Sequence, residues 1–594
     1  MEAVMEGSLS DTQKDFQTTA QDRRSWMTLT LCRLICIAFA LAETWSQLRF
    51  VNEDGISYFD MSDALITHNW HLLVNPIWSP LYPLLIGVVT WLTRPPAQWE
   101  APIAHAVNFV IFLGAMAAFE FLLRQVIKII RQENIRLART LVSSLPIWTC
   151  QLFGYSLFAW STIGMMWAPR MVTPDLCVAT FVYLDAGLLL SLRDTPNRLR
   201  ICLWLGLSLG LGYWAKAILF PMAFVLILTA LFVIGDWRKA LRPLAVSFLI
   251  FIALAAPLLV AMSRRVGRPS YSEAGNMNYV WHVNHFDPYA ASAAAAGPPT
   301  YLKHPMSILH RRPDVYGFRE PTAFTYPPRQ DMEYWSAGTP RVINREMQLR
   351  AVGENLRVLF TDVHIVPMWG LIAGGLILSF IGTSPLRRFS NVLGGWPLII
   401  SGLAGPALYL LISVEPRYVA PFLVLILLGL FPGVFVRNQD HSIKGLVNLT
   451  VALSATALIL SALLVVYHAA GFPRQDKGDL WVSVGKSLNA AGVQPGEEVA
   501  IIGDSSDGCR WARVARVRIV AQVLRNDVPG FWHLDPSVQS EVYDAFVRAG
   551  AKAVVAEKTT PSGDTRDWQR LGNTDYYVYI LSQKGSNLTQ SYDR

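Results

Sequence analysis

The sequence predicts an α-helical polytopic membrane protein with a small α/β domain outside the membrane. Of its 594 residues, 52% are hydrophobic and 16% are charged, and the mean hydropathy is +0.32. This balance is too apolar for a soluble chain of such length. Long apolar segments recur between residues 26 and 467. After residue 471 the pattern changes to short apolar strands that alternate with helical stretches, an order typical of an α/β domain.

The apolar segments are the candidate membrane spans, since a helix needs about 20 apolar residues to cross about 30 Å of hydrocarbon. The criterion predicts about eleven transmembrane helices, in 26–45, 101–123, 140–158, 172–192, 200–216, 218–235, 243–262, 362–382, 391–413, 417–436 and 445–467. The apolar run 81–92 is shorter and bracketed by prolines. We interpret it as an interfacial or re-entrant segment, and we expect the first span to be retained.

Loop charge predicts the sidedness of the spans, because cytoplasmic loops collect Lys and Arg. With the tail 1–25 in the cytoplasm, the basic loops also fall inside; they contain Arg124, Lys128, Arg131, Arg136, Arg139, Arg193, Arg198, Arg200, Arg238, Lys239, Arg242, Arg387, Arg388, Arg437 and Lys444. Within the transmembrane domain 26–470, the first loop 47–98 and the long loop 263–361 fall outside, as does the α/β domain 471–594. The net charge of +8 therefore sets topology and does not indicate a nucleic-acid partner.

The cysteines predict neither a disulfide framework nor a metal site. Five of the six lie in or beside apolar segments, and Cys509 alone lies in polar sequence. No metal-binding spacing of cysteines can be recognised.

The first outer loop carries two adjacent carboxylates, Glu53 and Asp54, soon after the first span. In a helix starting there, Tyr58 falls on an apolar face and Asp60 on a polar one, so the segment is expected to lie on the bilayer surface. Asp54 has two compatible interpretations. Aspartate before a helical run is a favoured N-cap, and a carboxylate at the membrane surface can also take part in catalysis.

The loop as a whole resembles a known family. The acidic pair is followed by Gly-x-x-Tyr at 55–58 and by Asn-Pro-Ile-Trp-Ser-Pro-Leu-Tyr-Pro at 75–83. This arrangement is similar to the first outer loop of GT-C glycosyltransferases, which include protein O-mannosyltransferases and the aminoarabinose transferases that modify lipid A. The resemblance implies a surface helix and a further non-spanning helix before the second true span. Loop charge independently favours the same topology.

Further motifs resemble the same class, in the same chain order. Met-Val-Thr-Pro-Asp ends at Asp175, where the family places a second outer acidic residue, although here proline precedes the aspartate. The glycine-rich run 206–216 ends in Lys216, as the family's glycine-rich span ends in a cation. The segment 281–286 resembles an outer-loop stretch with histidine near aromatic residues, and 415–418 resembles the Glu-x-Arg-Tyr element that opens a late span. The terminal domain lies outside the resemblance.

The resemblance also implies a mechanism. A sugar on polyprenyl phosphate has a good leaving group, so one carboxylate can suffice to deprotonate the acceptor hydroxyl. Asp54 would be this base, with inversion at the anomeric carbon; Glu53 is the alternative base, and Asp175 would orient the acceptor. If the enzyme uses a divalent cation, Mg²⁺ or Mn²⁺, Asp175 would help to hold it. Two separated carboxylates are too few to predict a metal site.

The candidate substrate-binding residues are polar or aromatic side chains in these motifs. They are Tyr58, Arg170, Lys216, His282, His285, Glu415, Arg417 and Tyr418. The three cations fall near the outer ends of spans, where they could bind the leaving phosphate. The alternative for each of them is snorkelling to the interface.

The sequence therefore predicts an inverting glycosyltransferase that moves a sugar from a polyprenyl-phosphate donor to a glycan, lipid or protein acceptor at the outer face. The style of the motifs indicates a bacterial inner membrane. One rival is a transporter or flippase of lipid-linked saccharides, which would keep polar residues along a path through the spans. The other is a non-catalytic homologue that acts as a binding scaffold, for which Asp54→Asn would leave function intact.

Overall fold

The structure is a computed structural model, and it is mostly helical. It describes residues 2–137, 142–193, 198–286, 306–318, 324–329, 340–371, 373, 393–430, 435–437, 440–470, 478–523, 527–557 and 568–581. The predicted span 362–382 lies partly outside the described residues.

Most predicted spans overlap a helix. The helices before the long loop are α1 (Glu2–Ser46), α2 (Glu53–Ser62), α3 (Ala64–Thr67), α4 (Leu81–Thr93), α5 (Glu100–Leu137), α6 (Ile147–Ala159), α7 (Asp175–Ser191), α8 (Arg198–Ala215), α9 (Leu219–Ile234) and α10 (Trp237–Val266). In and after that loop come α11 (Ala274–Asn278), α12 (Arg345–Thr361), α13 (Trp396–Leu410), α14 (Pro416–Leu430) and α15 (Asp440–Ala469). A π-helical segment, Trp160–Met165, continues α6.

Four helices of the described chain are long and apolar enough to cross a membrane by length and composition: Asp22–Ser46, Ala97–Gln132, Trp237–Val266 and Lys444–Ala469. Together with the composition, they identify an integral membrane protein. Several other predicted spans are shorter apolar helices of 15 or 16 residues, such as α9 and α13. The number of about eleven spans therefore stays a prediction.

Helix α4 is the segment that the sequence predicts as non-spanning. Its 13 residues extend about 20 Å, which is less than the roughly 30 Å of a hydrocarbon core. It packs against α2 and α5. The loop 47–98 therefore folds onto the helical body.

The membrane helices pack as close pairs, α5 on α7, α8 on α10 and α13 on α14. Gly206 of α8 shows why that helix is glycine-rich, because a Cβ there would lie 2.4 Å from the carbonyl oxygen of Ser247 in α10. Small residues permit this approach of two backbones. The largest buried apolar cluster lies among α1, α5, α6, α7, α14 and α15.

The terminal region contains the predicted alternation of helices and strands. Its elements are α16 (Gly478–Ala490), β5 (Glu498–Ile502), α17 (Ser505–Ala515), β6 (Arg518–Val523), α18 (Val528–Phe531), α19 (Pro536–Arg548), β7 (Ala553–Glu557), β8 (Gln569–Arg570) and β9 (Tyr576–Ile580). Earlier strands are β1 (Val142–Ser144), β2 (Met306–His310), β3 (Val315–Phe318) and β4 (Phe435–Arg437), and β1 pairs with β4.

The main sheet has seven strands in the order β2-β3-β6-β5-β7-β9-β8. Strand β5 is parallel to both β6 and β7, and the other pairs are antiparallel. Strands β2 and β3 belong to the long loop 263–361, so the sheet joins that loop to the terminal region. It crosses the domain boundary predicted at residue 471.

Candidate active site

The predicted acidic pair lies at the start of α2. The N-cap position is held by Asn52, and its side-chain oxygen accepts a hydrogen bond from the backbone N–H of Val172 at 2.9 Å. The N-cap interpretation of Asp54 is therefore wrong, since Asp54 lies within the first helical turn. The bond from Val172 joins the loop 47–98 to the loop that precedes Asp175.

The surface placement expected for α2 is also wrong, because its residues from Gly55 to Ser62 are buried. Gly55 lies against the turn that precedes α2 and the loop that precedes α7, where a Cβ would meet Val51 Cγ1 at 2.6 Å and Val172 Cβ at 3.0 Å. Asp60, on the predicted polar face, is 1% exposed. That face meets other protein segments instead of water.

Asp175, the first residue of α7, anchors a group of charged side chains. Its Oδ1 accepts a hydrogen bond from Lys216 Nζ at 2.7 Å, and its Oδ2 accepts one from Thr173 Oγ1 at 3.0 Å. Arg417 Nη1 lies 3.9 Å from the same Oδ2. Two cations from different helix ends are thus held at one carboxylate.

The Glu-x-Arg-Tyr element completes this group. Arg417 Nε donates to Glu415 Oε2 at 2.7 Å, and Arg417 Nη2 donates to the Tyr418 hydroxyl at 3.2 Å. The Nζ of Lys216 lies 3.9 Å from the centre of the Tyr418 ring, which is a favourable cation–π distance. Both cations therefore have fixed positions.

The charges of this group act on Asp54. Burial raises the pKa of its carboxyl group above the ordinary value; Glu415 and Asp175 also raise that pKa, while Arg417 and Lys216 lower it. A carboxyl group of raised pKa is a stronger base once it is ionised.

Tyr58 lies one turn beyond Asp54, and burial raises the pKa of its phenol well above the ordinary value. Its ring packs edge-on against Trp78 and Tyr82, with ring centres 5.3 and 5.1 Å apart. Asn75 orients Trp78, because its side-chain oxygen accepts from the N–H groups of Ile77 and Trp78 at 2.8 and 3.1 Å. The Asn-Pro-Ile-Trp motif thus forms a turn that places an aromatic wall beside the site.

The remaining predicted residues lie at the edge of the group or outside it. His282 is exposed, and its electrostatic neighbours are Glu415 and the exposed His285. Arg170 is not brought into the group, because the side chains that act on its charge are Glu43 and Tyr467. The Glu53 carboxyl group lies 3.9 Å from Arg510 Nη2, on the side of the terminal region.

The carboxylates do not form a metal site. Lys216, Thr173 and Arg417 already surround both oxygens of Asp175, so a divalent cation there would meet two positive charges. Within the described part of the chain, no group of three or more His, Cys, Asp or Glu residues could hold a metal ion. The residues of the site do not fit Mg²⁺ or Mn²⁺.

Sequence reasoning missed a contact between the terminal region and α2. Arg513 of α17 is buried and donates hydrogen bonds of 2.6–2.9 Å to Asp60, Asp63 and Glu100. Asp60 also accepts from the N–H and hydroxyl of Thr325 in the long loop, at 3.0 and 2.7 Å. The arginines at 510, 513 and 516 recur every three residues, a spacing that places neighbouring members on one helix face and could have revealed this surface.

No protein-family model matches the chain, and no curated protein matches it. Solved structures are similar to it. The Archaeoglobus fulgidus oligosaccharyltransferase, in complex with Zn and sulfate, gives a TM-score of 0.47 at 12% identity over 89% of this chain and 68% of that one. ArnT from Cupriavidus metallidurans, bound to undecaprenyl phosphate, gives 0.41 at 14% identity over 93% of this chain and 98% of that one.

Both similar proteins are GT-C glycosyltransferases, the class that the sequence motifs resemble.

Proposed function

We propose that the protein is an inverting glycosyltransferase that moves a sugar from a polyprenyl-phosphate donor to an acceptor hydroxyl at the outer face of the membrane. The observation that carries the proposal is the pair of fixed cations, Lys216 and Arg417, which lie 2.7 and 3.9 Å from the Asp175 carboxylate and whose charges act on Asp54. A transferase of this kind needs one group to accept a proton and others to receive a phosphate. The proposed location is a bacterial inner membrane, with a cytoplasmic N-terminus.

In the proposed reaction, the acceptor oxygen attacks the anomeric carbon from the face opposite the phosphate. The new C–O bond forms as the bond from carbon to phosphate oxygen breaks, and the acceptor proton passes to Asp54. Polyprenyl phosphate leaves with the electron pair, and its negative charge is stabilised by Lys216 and Arg417. No proton is needed on the leaving oxygen, so a second carboxylic acid of the kind that glycosidases use is unnecessary.

Asp175 and Glu415 hold the two cations in this proposal. Asp175 bonds Lys216 at 2.7 Å, and Glu415 bonds Arg417 at 2.7 Å. Fixed cations need no reorganisation when charge develops on the phosphate, and this lowers the barrier. Asp175 is thus proposed to position Lys216 and Arg417, in addition to orienting the acceptor.

The donor class can be tested directly on the purified protein in liposomes. We expect transfer of labelled sugar from one or more polyprenyl-phosphate sugars, with one polyprenyl phosphate released per sugar moved, and no transfer from the matching nucleotide sugars. Equal use of nucleotide sugars would contradict the proposal. Movement of an intact lipid-linked saccharide between leaflets, without bond cleavage, would favour the flippase.

The acidic limb of the pH–rate profile should follow the charges around Asp54. The base must be ionised, so transfer falls as the pH drops through its raised pKa. Glu415→Gln removes a charge that raises this pKa, and we expect the limb to move to lower pH. Lys216→Met removes a charge that lowers it, and we expect the limb to move to higher pH.

Shifts of the acidic limb in opposite directions in the two variants would indicate that both charges act on one base. General damage to the site would not produce opposite shifts. The measurement is kcat/KM for the lipid donor across the pH range, with each variant normalised to its own maximum. Shifts in the same direction for both variants would contradict the assignment of Asp54.

A further inference from the structure

We infer that Arg510 of α17 is a positioning residue for Asp54, so that the terminal region takes part in building the active site. The inference rests on the proposed function, because it concerns the base of that reaction. It gives the terminal region a task that the sequence resemblance does not cover.

The guanidinium group of Arg510 lies on the turn that leads into α2. Its Nε donates to the backbone oxygen of Val51 at 2.7 Å, and its Nη2 lies 3.9 Å from the Glu53 carboxylate. The side chain is 12% exposed, and its guanidinium carbon lies 5.9 Å from the centre of the Trp481 ring in α16. Arg510 therefore connects the terminal region to the two residues on either side of Asn52, just before Asp54.

The membrane part holds the same turn from other directions. His105 Nε2 lies 2.8 Å from the Phe50 backbone oxygen, and Asn52 accepts from the N–H of Val172. Gly55 lies so close to Val51 and Val172 that the turn has no space to move toward Val172. Arg510 closes the side that faces the terminal region.

Arg513, one turn along α17, holds the later part of α2 through Asp60 and Asp63. The helix that carries Asp54 is thus bound by α17 near its first turn and near its last. These contacts fix both the position and the direction of α2 relative to Asp175. Arg513 is buried among three carboxylates, whereas Arg510 bonds a backbone oxygen at the edge of the contact between α17 and α2. Removal of the Arg510 side chain is therefore compatible with a folded protein.

The expected effect of losing Arg510 is on turnover. The Val51 oxygen and the Glu53 carboxylate would lose their cation, and the first turn of α2 would be free to shift. Displacing a reacting group by about 1 Å can cost about 100-fold in rate. The contacts of Lys216 and Arg417 are unchanged, so binding of the lipid phosphate should remain.

The test compares Arg510→Met with Arg570→Met in the full-length protein. Arg570 makes a similar pair of contacts, with Nε donating to the backbone oxygen of Thr574 at 2.6 Å and Nη2 lying 3.5 Å from Asp575, and both of these partners lie in the terminal region. We expect Arg510→Met to lower kcat by about 10- to 100-fold with KM for the donor within about threefold, and Arg570→Met to change neither. Thermal unfolding of the two variants should be similar.

Arg510→Lys supplies a second measurement, because lysine keeps one donor for the Val51 oxygen but loses the planar fork. We expect its kcat to lie between those of the wild type and Arg510→Met. The inference is overturned if Arg510→Met and Arg570→Met have equal kcat. If Arg510→Met does not fold, an Arg510→Lys protein with wild-type kcat overturns it. A wild type that transfers no sugar from any donor would instead refute the proposed function.

Discussion

Replacing Asp54 by asparagine should lower the rate of sugar transfer by about 10²- to 10⁴-fold, the usual contribution of a general base. Asparagine keeps the size and polarity of the side chain but cannot take the acceptor proton. The measurement is kcat in liposomes with whichever polyprenyl-phosphate sugar the wild type uses. KM for that donor should change little, because the cations that meet the phosphate remain.

Two comparisons make this result decisive. Asp575→Asn is the same chemical change at an exposed carboxylate far along the chain from the site, and it should leave kcat unchanged. Glu53→Gln tests the neighbouring carboxylate as the base. Loss of turnover in Glu53→Gln together with wild-type turnover in Asp54→Asn would transfer the assignment to Glu53, and full turnover in both variants would exclude both carboxylates as the base.

Replacing Arg513 by methionine should destabilise the protein by about 3–5 kcal/mol, because removing one partner of a buried ion pair leaves uncompensated charge. Asp60, Asp63 and Glu100 would all lose their hydrogen bonds to Arg513, and Glu100 would keep its ion pair with Arg516. The measurement is thermal unfolding in detergent, followed at the tryptophans. Arg49→Met is the matched control, since the pair of Arg49 with Asp479 is exposed and such pairs contribute about 0–1 kcal/mol.

The destabilisation should depend on pH in a defined direction. Burial raises the pKa of Asp60 to about 6, and Arg513 and Thr325 lower it from a still higher value. Without Arg513 this pKa rises further, so the carboxyl group becomes neutral as the pH falls and its burial is less unfavourable. The stability deficit of Arg513→Met should be largest above pH 6 and should shrink in acid. A deficit independent of pH would contradict the electrostatic explanation.

The members of the charged group were named because their motifs resemble those of GT-C glycosyltransferases. Asp175, Lys216 and Arg417 lie at or beside helix ends, where apolar periodicity stops. The structure brings them together with Asp54, although their catalytic and binding functions remain predictions. Arg170 shows the limit of this reasoning, since it also lies near a predicted span end but has Glu43 as its neighbour instead.

Contacts between distant segments could not be predicted in the same way. The periodic pattern of α2 separates Tyr58 from Asp60, but periodicity does not reveal what covers each face. The sequence pattern predicts that Asp60 faces solvent, yet it binds Arg513 from the terminal region and Thr325 from the long loop. Likewise, β2 and β3 lie in a segment rich in proline and aromatic residues, and nothing local indicates that they extend a sheet formed mainly after residue 498.

The antiparallel pairing of β3 with β6 has a consequence for the assembly of the chain during synthesis. The hairpin β2–β3 gains its second neighbour only when Arg518–Val523 has been made. Until then, β3 presents an open edge of backbone groups, which invites mispairing with other chains. Shortened proteins that end before this strand would keep that edge permanently, and we expect them to aggregate more than the full-length protein.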